Sequence, residues 1–274
     1  MKAIILNAGQ GKRLLPLTQT RPKCLLHVQE ERSILAFQLR TLSTCGIREA
    51  VVAVGFGAAA VEAEIADCPV APAEVRTLFN PFFGQSDNLV TTWLARPEFD
   101  DDFLLLNGDT LFEPEVLNDL LEAPRAPVSL VTHRKPAYDP DDMKVALGSC
   151  GRLEAVSKTV PPARIAAESI GLMRFQGNGG ARFAEALDTA IRSESAFEDW
   201  YLCAVDALAR QMRIETVDVT GRWWSEVDSP ADLEQVREVL RRGETVQSVL
   251  PEPRDVLADF QSDFRPRAAR PARA

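Results

Sequence analysis

Apolar and polar positions divide the chain into two kinds of segment. Lys2–Leu6 (KAIIL), Ala50–Val54 (AVVAV) and Phe103–Leu106 are short continuous apolar runs, as expected of strands covered on both faces. Val75–Phe79 reads as a further strand. Between them lie stretches with helical spacing. Ile34–Gly46 predicts a helix with Gly46 as its stop, and Ala58–Ala66 predicts a second. Ser86 is the expected N-cap of a third helix running to Ala95, with Asp87 favourable to its positive end. The order βαβαβαβ predicts an α/β fold: a mainly parallel mixed sheet with helices on both faces.

The second half is more broken. Val128–Thr132, Arg152–Ser157, Ser169–Phe175, Ile214–Val219 and Trp223–Val227 read as strands, and Gly180–Arg192 and Trp200–Met212 as helices. Ser229-Pro230-Ala231-Asp232 opens a last helix: Ser as N-cap, Pro at the first helical position, Asp in the first turn. It runs to about Arg242 and stops at Gly243. No repeat or linker interrupts the chain. The expected organisation is one domain over 1–243, with halves of about 1–125 and 126–243, and an extension over 244–274 whose Ala, Arg and Pro-rich end is expected to fray.

Composition narrows the function. At 274 residues, 46% apolar and 26% charged, the chain can bury a full core. A formal net charge of −9 without a basic block argues against nucleic acid as a partner. No apolar run reaches the ~18 residues of a membrane span, and the start is too short in its apolar part for a signal peptide. A cytoplasmic location is therefore expected, without membrane insertion. Five scattered cysteines without a CxxC, and only two histidines (His27 and His133), offer neither a disulfide framework nor a zinc site. A metal here has to be a hard cation on carboxylates, such as Mg²⁺.

The strongest local signal follows the first strand. Asn7-Ala8-Gly9-Gln10-Gly11 lets the backbone approach a ligand and turn its N–H groups toward phosphate oxygens, and Lys12, Arg13 and Lys23 add positive charge. Gly9-x-Gly11 alone reads as a tight strand–loop turn. The spacing is neither a Walker A loop nor G-x-G-x-x-G, because Leu14 stands where the third glycine belongs. The longer pattern Leu6-Asn7-Ala8-Gly9-x-Gly11-x-Arg13-x-x-Pro16-Leu17-Thr18…Pro22-Lys23 resembles the N-terminal signature of the nucleotidyltransferases that make NDP-sugars and CDP-alcohols. That family has a Rossmann-like nucleotide-diphospho-sugar transferase fold. The resemblance implies that the glycine loop wraps a nucleoside triphosphate, that Arg13 contacts its β- and γ-phosphates, and that Lys23 neutralises charge at the reacting centre. Asn7 departs from the family, which usually has Ala there, on the nucleotide side of the loop.

Two carboxylates carry the resemblance further. Asp109 follows an apolar strand in Asn107-Gly108-Asp109, where open α/β sheets bind ligands; by itself it is also an Asx turn. Asp228 lies in Trp224-Ser225-Glu226-Val227-Asp228-Ser229-Pro230, which by itself is a helix start. The resemblance implies that Asp109 and Asp228 jointly hold Mg²⁺ on the α-phosphate, with Glu226 supporting the site or the acceptor. The implied reaction is attack of a phosphate monoester on the α-phosphorus, with pyrophosphate leaving. The nucleophile is largely a dianion near neutrality, its second pKa being about 6, so histidine is not needed.

The acceptor side is less specific. Lys144, in Asp141-Asp142-Met143-Lys144-Val145, is a solvated charge run by itself, whereas resemblance to the cytidylyltransferase branch assigns it to the acceptor phosphate. Glu198-Asp199-Trp200-Tyr201 reads either as a helix start capped by Asp199 or as acids beside aromatics that hold a quaternary ammonium. It resembles the choline-side segment of bacterial phosphocholine cytidylyltransferases. Glu168 and Tyr138 are further pocket candidates, and His133 is expected on the surface at a strand end. Ser86 and Asn88 lie where this branch places its base-binding loop and are expected to meet a pyrimidine edge. The expectation is thus CTP plus a small phosphorylated, cationic acceptor, phosphocholine first. 2-Aminoethylphosphonate, inositol 1-phosphate or a sugar 1-phosphate are alternatives, and a non-catalytic nucleotide-binding regulator is a remote one. A homo-oligomer stays open.

Overall fold

The computed structural model describes residues 1–30, 32–69 and 71–242. The expected stop at Gly243 and the extension over 244–274 lie outside the described residues. The first half contains β1 (Lys2–Asn7), β2 (His27–Gln29), β3 (Arg32–Ser33), α1 (Ile34–Thr44), β4 (Glu49–Val54), α2 (Ala58–Ala66), β5 (Glu74–Phe79), α3 (Asn88–Leu94), β6 (Phe103–Asn107), β7 (Thr110–Phe112) and α4 (Pro114–Glu122). The second contains β8 (Val128–His133), β9 (Lys144–Leu147), β10 (Leu153–Ser157), β11 (Ala167–Phe175), α5 (Gly179–Ala190), α6 (Leu202–Ala209), β12 (Glu215–Asp218), β13 (Trp224–Glu226) and α7 (Pro230–Arg242).

The central sheet runs β10-β9-β11-β6-β1-β4-β5, with β8 branching from β11 and β12 from β8. It is parallel across β5-β4-β1-β6. It turns antiparallel at β11, which pairs with β6, β8 and β9. The mixed α/β fold expected from the sequence is therefore present. Successive residues of β1 face opposite sides: Ile4 joins a core with α5 and α6, whereas Ala3 and Ile5 join one with α1 and α4. A third apolar cluster packs α7 against α1 and β2 through Leu233, Val236, Phe37 and Val28. No helix among the described residues is long and apolar enough to cross a membrane.

Arg174, on β11, is 2% exposed. Its guanidinium donates to the carbonyls of Leu120 (2.6 Å), Leu121, Ala123 and Pro124 (2.8 Å), which a helix C-terminus otherwise leaves unpaired.

Three local expectations differ from the structure. Ser86 does not cap α3: Asp87 occupies the N-cap, and Ser86 Oγ donates instead to the Phe82 carbonyl (2.9 Å). Asp199 does not cap the following helix, because α6 starts at Leu202 with Tyr201 at its N-cap. The charge run before Val145 ends in a strand, β9, that Lys144 begins.

Candidate active site

β1 and β6 end side by side at the middle of the sheet, with Leu6 opposite Asn107. The glycine loop leaves β1 here and folds back on itself. Thr18 Oγ1 donates to the Gly11 carbonyl (2.8 Å), and Gln10 Nε2 donates to the Thr18 carbonyl (3.2 Å). Gly11 has φ +76°, and a Cβ there would lie 2.7 Å from Lys23 Cβ. The loop can therefore close over Lys23 only without a side chain at this position.

Two segments far apart in the chain meet Lys23. Its ammonium lies 2.8 Å from Asp109 Oδ2 and 2.7 Å from Asp228 Oδ1. Burial lowers its pKa, but the two carboxylates outweigh that and hold it above the ordinary lysine value. Arg13 Nη2 lies 2.9 Å from Asp228 Oδ2 and Nη1 3.6 Å from Asp141. The backbone keeps the carboxylates in register: β13 pairs antiparallel with β7, and Val227 N donates to the Asp109 carbonyl (3.1 Å). Glu226, beside them, is pushed up to about 8 by burial and by the neighbouring charges of Asp109 and Asp228.

Gln38 supports this arrangement from below, and the sequence reading missed it. It lies on an otherwise apolar face of α1, 1% exposed. Its Nε2 donates to the carbonyls of Asn107 (2.8 Å) and Thr110 (2.9 Å), which flank Gly108-Asp109. A glutamine amid core positions one helical turn from Leu35 and Leu42 was the available signal.

Two cavities open from this centre. The first, about 480 Å³, is lined by the glycine loop, including Asn7, Ala8, Gly9, Gly11 and Lys12, and by Ser86 and Asn88. The second, about 440 Å³, takes in Glu168, Tyr201, Glu226 and Lys135. Arg13, Asn88, Asn107, Asp109, Trp200 and Asp228 belong to both walls, so the cavities meet at the Lys23 carboxylates. The dividing wall is held by three hydrogen bonds: Asp87 N to the Phe197 carbonyl (2.8 Å), Leu89 N to the Asp199 carbonyl (3.2 Å) and Tyr201 N to Asn88 Oδ1 (2.9 Å).

The acceptor-side candidates are placed unevenly. Glu168 is 3% exposed and receives Lys135 Nζ at 2.7 Å; His133 Nδ1 lies 3.1 Å from it, half-buried, not on the open surface. Lys135 also reaches Asp142 (2.8 Å). Lys144 does not line either cavity: its ammonium donates to the carbonyls of Pro140 (3.0 Å) and Asp142 (3.1 Å), beneath the turn. Asp199 lines neither cavity, its carboxylate being bonded to Ser195 Oγ (2.7 Å). Trp200 faces Lys158, whose ammonium stands 4.2 Å from the ring centroid. Tyr201 is 1% exposed, with its ring edge against Phe183 and its hydroxyl buried without a partner. Lys135 and Lys158 were missed by the sequence reading. Lys135 stands just beyond the carboxyl end of β8, the same kind of position that singled out Asp109.

The solved structures define the fold class first. The inositol-1-phosphate CTP transferase from T. maritima superposes with a TM-score of 0.73 at 21% identity, covering 89% of this chain and 97% of that one. This is the nucleotide-diphospho-sugar transferase fold. Residues 2–132 match the nucleotidyl transferase family model. The chain is 33% identical over 244 residues to CMP-5'-(3-aminopropyl)phosphonate synthase of Streptomyces rubellomurinus, covering 86% of this chain and 38% of that protein. It is 31% identical over 120 residues to choline-phosphate cytidylyltransferase of Streptococcus pneumoniae, covering 44% and 50%. The chain thus spans half or less of the length of these two relatives. Over residues 2–132 it belongs to the nucleotidyltransferase family.

Proposed function

We propose that the chain is a Mg²⁺-dependent cytidylyltransferase joining CTP to a small phosphorylated or phosphonate acceptor with a cationic head. The observation that carries this reading is the contact of Lys23 with both Asp109 and Asp228 where the two cavities meet. The glycine loop, Lys12 and Arg13 hold the triphosphate in the first cavity. An acceptor oxygen arriving from the second attacks the α-phosphorus, the bond from that phosphorus to the β-bridging oxygen breaks, and pyrophosphate leaves with the electron pair. Lys23 neutralises the charge that builds up between them.

The donor set fits a hard divalent cation. Asp109 Oδ1 is buried without a protein partner, and Asp228 supplies a second carboxylate, leaving the other positions to phosphate oxygens and water. Mg²⁺ there would offset the charge on the α-phosphate.

The cationic head is supported by the acidic side chains Asp139, Asp142 and Glu168 around the second cavity, of which Asp142 and Glu168 also hold Lys135. Phosphocholine was expected from Glu198-Asp199-Trp200-Tyr201, read as acids beside aromatics that hold a quaternary ammonium. Yet Trp200 already faces Lys158, and Tyr201 is packed in the core. A second reading therefore replaces the quaternary ammonium with a primary one, as in 2-aminoethylphosphonate, which hydrogen-bonds to carboxylates without an aromatic cage. Pyrophosphate release from CTP, Mg²⁺ and a panel of acceptors tests both. Turnover with primary-amine acceptors above phosphocholine supports the second reading, and no release with any nucleotide overturns the enzyme.

A further inference from the structure

The first cavity divides by charge. Among the described residues its cations are Lys12, Arg13 and Lys23, all on the glycine loop or the segment that follows it. Residues 83–88 line the same cavity, contribute no cation and include Asp87. Phosphate oxygens bond most strongly to charged donors, so a triphosphate belongs with the cations. The uncharged nucleoside is left to the 83–88 wall.

That wall hangs on a residue that lines neither cavity. Asn80 follows β5 and continues its pairing with β4, its N donating to the Val54 carbonyl (2.8 Å). It is 0% exposed. Its Oδ1 accepts from Phe82 N (2.8 Å), which closes an Asx turn, and its Nδ2 donates to Thr91 Oγ1 on α3 (2.9 Å). The Phe82 carbonyl then accepts from Gln85 N (2.9 Å), Ser86 N (3.0 Å) and Ser86 Oγ (2.9 Å). Phe83, the next residue, rests on Gly55. A Cβ there would lie 2.5 Å from Phe83 Cβ and 2.6 Å from the Ala8 carbonyl oxygen. One buried amide thus joins the end of β5, the 82–86 turn and α3, and the turn is seated directly beside the glycine loop.

We propose that Asn80 is a positioning residue for the nucleoside. By fixing the 82–86 turn and Thr91, it sets the spacing between this wall and the glycine loop, and so determines how the base and sugar seat once the phosphates are held. It acts through the turn and touches no substrate. This rests on the reading that a nucleoside triphosphate fills the first cavity.

Calorimetric titration of the full chain in Mg²⁺ with CTP and with inorganic tripolyphosphate, which has the phosphates and no nucleoside, tests it. Asn80→Ala is expected to weaken CTP about fivefold or more, the size of one hydrogen bond, and to leave tripolyphosphate within twofold. Asn80→Ser, whose hydroxyl can still accept from Phe82 N, is expected to recover part of the loss. If Asn80→Ala does not fold by circular dichroism, Thr91→Val takes its place: it cuts the α3 arm at nearly constant shape, and the same split between the two ligands is expected. Equal weakening of CTP and tripolyphosphate, or unchanged CTP binding, would overturn the inference. Failure of the wild type to bind CTP or tripolyphosphate would instead overturn the placement of the nucleotide, and the inference with it.

Discussion

The backbone N–H of Val227 donates to the carbonyl of Asp109 at 3.1 Å. Together with the β13–β7 pairing, this bond sets Asp228 beside Asp109, so their alignment does not depend on the side chains themselves. Asp109→Asn and Asp228→Asn are therefore expected to leave the fold intact and to lower kcat by roughly a hundredfold or more. Circular dichroism and pyrophosphate release on the same samples check this; near-normal Mg²⁺-dependent rates would remove both residues from the reacting centre.

Gln38 acts on the same carboxylate at one remove. Gln38→Leu leaves the Asn107 and Thr110 carbonyls unpaired in the core, and it is expected to cost about 2 kcal/mol of stability. The Mg²⁺ concentration needed for half-maximal rate should also rise, while the KM for the acceptor stays within twofold. Thermal unfolding and a Mg²⁺ titration of the rate separate these effects. A stability loss with an unchanged Mg²⁺ requirement would make Gln38 purely structural.

Lys135 and Lys144 make opposite predictions about the acceptor. Lys135 borders the second cavity, whereas Lys144 bonds the turn over 140–142 from beneath. Lys135→Ala is expected to raise acceptor KM in a way that depends on the acceptor's charge. Lys144→Ala is expected to raise it by one similar factor for every acceptor, because it loosens the turn that carries Asp141 and Asp142. Steady-state kinetics across the acceptor panel check this, and a charge-dependent response of Lys144→Ala would restore its direct contact with the acceptor.

Acid stability should depend on a site far from the chemistry. Arg76 hydrogen-bonds Glu98, whose carboxylate also meets Lys2 Nζ at 3.4 Å. The Arg76 bonds outweigh burial and hold the Glu98 carboxyl below its usual 4.5. A folded-state value below the unfolded one means that the interaction stabilises above about pH 4.5 and is lost as the pH falls through the folded value. Glu98→Gln is expected to cost about 1 kcal/mol near neutrality, with the difference in Tm from wild type closing in acid. Thermal unfolding at stepped pH checks this; a gap that widens on acidification would give the opposite sign.

The residues that converge on Lys23 were legible in the sequence for a simple reason. Arg13, Asp109 and Asp228 lie just beyond strand ends or glycines, where local pattern and chemistry coincide, and Lys23 was carried by the resemblance of Pro22-Lys23 to the family signature. Asp199 and Lys144 were not legible, because their roles depend on register. One residue's rotation along 198–202 sends Tyr201 into the core and leaves Asp199 on Ser195. Lys144 begins a strand whose pairing with β11 no local period announces. Helix α4 escaped for a similar reason: its apolar stripe follows the three-residue strand β7 with only Glu113 between. The sheet itself was readable in its parallel half, where buried runs need no partner to be recognised.

The three hydrogen bonds joining 87–89 to 197–201 also bear on how such an enzyme can change. Under the proposed function, the wall of the nucleotide's cavity is also the wall of the acceptor's. A substitution in 197–201 that reshapes the acceptor chamber also displaces Asp87 and Asn88, and with them the nucleotide's surroundings. The proposed function therefore predicts that acceptor preference and nucleotide affinity change together. A new acceptor is more readily accommodated from the β8–β9 side, where Lys135 and Asp142 stand clear of that seam.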